Sequence, residues 1–256
     1  MQFWLGTHHP NWLSSMDTLF VSNRRLTDRK TLPVAKGAWA LDSGGFSELS
    51  MYGAWRTTPE EYVAKVDRYA AEIGNLQWAA IQDWMCEPFM LTKTGLTLEE
   101  HQRRTIGNYE RLLTLRPSFS WVPVLQGWQL QDYESHLRQY EDAGFRLTEL
   151  PLVGIGSVCR RQAMAEAEYI VRTMASYGLR LHGFGVKLLG LERMADVLAS
   201  ADSLAWSYTA RRALPLPDCH HRNCANCPRY AAQWRERVQA SLDSPKPHQL
   251  PMMGVA

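Results

Sequence analysis

Apolar residues fall in short runs, most of them ending in Gly, Asp, Asn or Gln, at residues 3–6, 19–23, 39–42, 78–83, 121–127, 152–156, 181–186 and 203–207. Amphipathic stretches at 59–73, 98–115 and 161–177 separate several of them and carry the helical period. Brief runs buried on both faces and alternating with helices are the pattern of a parallel sheet. Eight of them predict a closed (β/α)₈ barrel of the TIM type, an α/β fold. Functional groups in such a barrel gather at the C-terminal ends of the strands, where Asp42, Asp83, Gln126 and the backbone of Gly154 and Gly156 fall. Asp202 is expected after a helix and before the eighth strand.

Local signals agree with this reading. Thr58-Pro59-Glu60-Glu61 puts a capping hydroxyl before a proline at the first helical position, and Thr97-Leu98-Glu99-Glu100 repeats the cap with acids in the first turn. The barrel is expected over residues 1–212, a small cysteine-rich module with one closing helix (228–242) over 213–243, and a loose tail over 244–256. A hydrophobic share of 45% with 21% charged residues suits a soluble globule. The chain has no apolar run of about 18 residues and no charged-then-apolar leader, so a cytoplasmic location without membrane contact is expected. The net charge of +2 does not announce a nucleic-acid partner. Between Trp206 and Val238, however, six arginines stand against two acids, enough for a phosphate-contacting surface or for an ordinary solvated face.

Three of the five cysteines are clustered. Cys219, His221, Cys224 and Cys227 lie within nine residues, a spacing that can close a tetrahedral shell around Zn²⁺, and a closed shell is structural rather than catalytic. His220 and His248 are alternative fourth ligands. Cys86 and Cys159 read as core or near-site thiols. Asp42-Ser43-Gly44-Gly45-Phe46 places an acid at a strand end before a glycine turn that lets a ligand approach backbone N–H groups, with Phe46 as a flat apolar face. Asp83 and Gln126 end neighbouring strands and join a carboxylate to an amide, which together match the edge of a purine. His182 reads as a pocket wall, His8 and His9 as surface or packing residues, and Lys187 as a phosphate contact or a solvated side chain.

Taken in order, these motifs resemble those of the queuine and archaeosine tRNA-guanine transglycosylases and, in the small size of the chain, the related transglycosylases of phages and bacteria that place 7-deazaguanines in DNA. The likeness runs from Phe3 to Cys227 and rests on Ser22-Asn23, the Asp42 to Phe46 motif, Asp83, Gln126-Gly127, Gly154-Ile155-Gly156, His182-Gly183-Phe184-Gly185, Asp202 and the zinc cluster. The resemblance implies a base-exchange glycosyltransferase, a pentosyltransferase that replaces guanine by a 7-deazaguanine. Asp202 would be the nucleophile forming a glycosyl-enzyme, and Asp42 the general base. Phe46, Asp83, Gln126, Gly127, Gly154, Ile155, Gly156 and His182 would hold the base. Ser47 replaces the family's Gln, and Trp206 to Arg212 replaces the Pro-Thr-Arg segment that helps the tRNA enzymes hold the anticodon loop. DNA is therefore favoured over tRNA, and a homodimer or an accessory protein is compatible with the sequence. The rival readings are an N-glycosidase that hydrolyses the base-sugar bond and a non-catalytic zinc-containing nucleic-acid binder.

Overall fold

The computed structural model describes residues 1–158 and 165–243. Cys159, the first residues of the helix expected from 161, His248 and the rest of the expected tail lie outside the described residues. Nine parallel strand segments, β1 (Gln2–Thr7), β2 (Leu19–Ser22), β3 (Trp39–Asp42), β4 (Leu76–Ala80), β5 (Trp121–Val122), β6 (Val124–Leu125), β7 (Val153–Ile155), β8 (Leu181–Gly183) and β9 (Leu198–Ser203), form a nearly closed barrel. Their order is β5-β4-β3-β2-β1-β9-β8-β7-β6. The two end segments are consecutive in the chain and separated only by Pro123, which has no N–H to give a ladder. Trp121 and Val122 pair with Ala79 and Ala80, while Val124 and Leu125 pair with Gly154 and Ile155. The run expected at 121–127 is thus one strand that changes partner at its proline, so the nine segments amount to eight strands, the number expected.

Helices α1 (Gly45–Tyr52), α2 (Pro59–Glu72), α3 (Pro88–Thr94), α4 (Leu98–Leu115), α5 (Leu130–Asp142), α6 (Ala165–Ser176), α7 (Leu188–Met194), α8 (Ala205–Ala210) and α9 (Pro228–Asp243) follow from β3 onward. The Thr58 hydroxyl accepts from Glu61 N–H at 3.2 Å while the Glu61 carboxylate accepts from Thr58 N–H at 2.9 Å, a reciprocal cap on α2. Thr97 likewise accepts from Glu100 N–H at 3.2 Å. The first two crossovers hold only short 3-10 turns, at Pro10–Ser14 and Asn23–Arg25. The C-terminal helix fills the gap. α9 packs on β1, α7 and α8, with Trp234 and Phe3 ring centroids 5.9 Å apart. Cys224, Cys227, Trp234 and Val238 therefore share one apolar core with Phe3 and Leu5.

Side-chain parity sorts the strands into an outer and an inner layer. Phe3, Leu5, Leu19, Val21, Trp39 and Leu41 pack outward under the helices. Trp4, Phe20, Ala40, Trp78, Ala80 and Val122 form the inner cluster. Gly6, Ser22, Asp42 and Asp202 share the inner parity. The expected eighth strand is corrected: the strand is Leu198–Ser203, and residues 205–210 are helix α8. The apolar run at 203–207 is buried because Trp206 stacks on Trp12 and donates its Nε1–H to Gly6 O at 2.8 Å, which a helix achieves as well as a strand. Asp202 accordingly lies on the strand near its C-terminal end, not before it.

Candidate active site

A cavity of about 560 Å³ opens at the C-terminal end of the strands, and Asp42, Phe46, Asp83, Gln126, Gly156 and Asp202 all line it. Asp42 is the last residue of β3 and sits in register with Ser22 of β2. Burial pushes its carboxyl above the ordinary range. Hydrogen bonds from the Ser22 hydroxyl and the Gly44 N–H work against that rise, and repulsion from Asp202 adds to it. Gly44 can present its N–H because it sits at φ +85°, where a side chain would be strained and would also meet the Arg24 stem. Asp202 is 6% exposed, and its Oδ1 accepts from Gly185 N–H at 2.8 Å. The two acids thus reach one cavity from β3 and β9, with the ends of β1 and β2 between them.

On the other side the strand ends of β4, β6 and β7 carry a connected polar array. The Gln126 amide donates to Asp83 Oδ2, and its Oε1 accepts from the Ser157 hydroxyl at 2.7 Å. Ser157 Oγ in turn accepts from Cys86 N–H at 3.1 Å. A carboxylate only accepts, so the amide turns its NH₂ toward Asp83, and its Oε1 takes the Ser157 hydroxyl proton. Gly156 has no room for a side chain, since a Cβ there would overlap the Gln126 amide. The fully buried His136 takes the Gln126 backbone N–H on its Nδ1 at 2.8 Å, and burial lowers its pKa to about 3. Burial raises the Asp83 carboxyl to about 7. The Gln126 hydrogen bond opposes this shift, and Asp42 and Glu87 reinforce it. Phe46 is 43% exposed at the mouth, its ring 6.1 Å from Phe89.

The remaining expected residues do not line the cavity. His182 is fully buried behind Asp202 rather than forming a wall: its Nδ1 pairs with Ser200 Oγ at 2.7 Å and its Nε2 lies 3.4 Å from Asp202 Oδ1. That contact lies within ion-pair distance but makes no hydrogen bond. Trp78 and Phe184 hold the ring edge-on at 4.8 and 4.7 Å. Gly154 lies against Phe184, Gly127 under Asp132 and Tyr133, and Ile155 in the outer core. Lys187 precedes α7 and is exposed. Phe184 of the His182–Gly185 motif also lines the cavity, and residues outside the motifs complete it, among them Ser157, Glu87, His8, Arg24 and Arg25. Expected as a surface or packing residue, His8 lines the cavity, with Arg25 Nη2 3.2 Å from its Nδ1. Desolvation first, then Arg25, His9 and Arg211, hold its pKa below the usual histidine value.

The four expected metal ligands do converge. The Sγ atoms of Cys219, Cys224 and Cys227 and a ring nitrogen of His221 all lie within 4.8 Å of one another, with His221 Nε2 3.1 Å from Cys224 Sγ. Zn–S bonds of about 2.3 Å and Zn–N bonds of about 2.0 Å fit that spacing, so the cluster can hold a metal ion such as zinc. His220 stands outside the group. The module is tied to the barrel through Ser207, whose hydroxyl donates to Ala225 O at 2.8 Å, and through His9, whose Nε2 is 3.0 Å from Asn226 Oδ1. No helix among the described residues is long and apolar enough to cross a membrane.

The family model described as "DpdA: DeoxyPurine in DNA protein A" matches residues 1–252. No curated protein matches the chain.

Proposed function

The chain belongs to the DpdA (DeoxyPurine in DNA protein A) family of DNA 7-deazaguanine transglycosylases, which is related to tRNA-guanine transglycosylase, and from that premise we propose that it exchanges guanine in DNA for a 7-deazaguanine through a glycosyl-enzyme on Asp202. The observation that carries this reading is one cavity with two acids on one side and a purine-matching polar array on the other. The Asp83 carboxylate accepts the N–H groups of the guanine edge, and the second Gln126 amide proton meets the carbonyl oxygen. Phe46 offers a flat apolar face to the ring.

With the base so held, an Asp202 oxygen bonds to C1′ as the C1′–N9 bond breaks, and the bonding pair leaves with guanine. The Gly185 N–H stays on Oδ1 and orients the carboxylate. Asp42, whose carboxyl is pushed upward by burial and further by Asp202, gives its proton to the departing base. The incoming deazapurine returns a proton to Asp42, and its N9 displaces Asp202 from C1′. Two carboxylates divide one difficult displacement into two steps, as in retaining glycoside hydrolysis.

Labelled guanine or a 7-deazaguanine incubated with the protein and either duplex DNA or tRNA tests the reading. Incorporation into DNA is expected, and Asp202→Asn lowers it by at least about a thousandfold. Incorporation into neither polymer by zinc-loaded protein, or full activity in Asp202→Asn, overturns it.

A further inference from the structure

The order of strands around the barrel places something between the two acids. Asp42 ends β3 and Asp202 ends β9, and the ends of β2 and β1 lie between these two strands. Those ends carry Arg24, Arg25 and His8, all lining the cavity. The base-matching groups stand on the opposite arc, at β4, β6 and β7. A nucleotide with its base on that arc and its C1′ between Asp42 and Asp202 has its sugar, and the phosphates attached to it, over the ends of β1 and β2.

Charge agrees with this placement. Among the described residues no carboxylate forms an ion pair with Arg24 or Arg25, both exposed at the cavity. Arg24 instead lies along Met51, with Nη1 3.2 Å from Sδ, and Arg25 meets the His8 ring. Guanidinium groups left without an anion at the rim of a cavity lined by two acids match a ligand that brings its own negative charge.

We infer that Arg24 and Arg25 form a phosphate subsite that holds the DNA backbone next to the extruded nucleotide. This assignment rests on the base-exchange reading of the cavity. The subsite anchors the strand without reading sequence, so the base is selected only by the Asp83–Gln126 array.

The test measures binding of a short single-stranded DNA to the full chain, by fluorescence anisotropy across a salt series, for wild type, Arg25→Gln, the Arg24→Gln/Arg25→Gln double variant and Arg146→Gln. Calorimetry with free guanine is run in parallel. Arg146 precedes β7, at the other end of the barrel. Each subsite substitution is expected to weaken DNA binding severalfold and to flatten the dependence of log K on log salt by roughly 0.7 to 1. Guanine affinity and the Arg146→Gln protein stay at wild-type values. An unchanged salt slope in the double variant, or an equal loss in Arg146→Gln, overturns the subsite. Absence of guanine binding in every protein instead counts against the base-exchange reading and leaves the salt slopes to judge the subsite separately.

Discussion

At the scale of single residues, the cavity depends on carboxyl groups whose charge is set by what surrounds them. Asp83 is the clearest, because burial holds its pKa near 7 against the Gln126 hydrogen bond. A carboxyl raised in the folded state is stabilising while protonated. Its contribution is complete below about pH 4 and is lost as the pH rises through about 7. Asp83→Asn removes that loss, so its melting temperature relative to wild type should climb between pH 4 and 8 and then level. Base binding should run the other way, since only the carboxylate accepts two N–H groups. Guanine affinity of the wild type is expected to strengthen by up to about tenfold per unit below pH 7 and to plateau above it. A flat affinity from pH 5 to 8 would remove Asp83 from the base-reading role. Asp42 shifts the same way: burial raises its carboxyl, and Asp202 adds to the rise.

At the scale of elements, α8 connects the proposed nucleophile strand to the cysteine module. Trp206 is 1% exposed, stacks on Trp12 and bonds Gly6 O. Trp206→Ala should cost about 3–5 kcal/mol in chemical denaturation; a loss under about 1 kcal/mol would mean that the neighbouring chain closes over the gap. The same element marks where sequence reasoning failed. An apolar run of five residues holding a tryptophan is equally consistent with a buried strand and a buried short helix. The true strand, Leu198–Ser203, is hidden because its inward positions are Ser200 and Asp202. Asp42 was legible because a glycine turn follows it directly, and the Thr58 and Thr97 caps because their partners lie three residues away. Ser157 and Arg25 were not legible. One acts on a glutamine 31 residues away in the chain, and the other is defined by its place at the cavity rim, which no local pattern encodes.

At the scale of the whole molecule, the barrel lacks α-helices in its first two crossovers and uses its C-terminal helix to cover β1. The cysteine cluster sits immediately before that helix, with Cys224 and Cys227 inside the common core, so a metal held there would tie the module to barrel closure. Cys224→Ser, or exhaustive chelation of the wild type, should lower the melting temperature by roughly 10 °C and lose the zinc signal in elemental analysis. An unchanged melting temperature with zinc gone would separate the module from folding. The central claim, that two acids facing one purine slot divide the exchange between them, is tested most directly by acid-quenched mass spectrometry of the protein after incubation with guanine-containing DNA. A covalent nucleotide adduct on the peptide carrying Asp202, absent in Asp202→Asn and formed more slowly in Asp42→Asn, is the predicted result. An adduct on another residue, or base exchange that persists in Asp202→Asn, would contradict it.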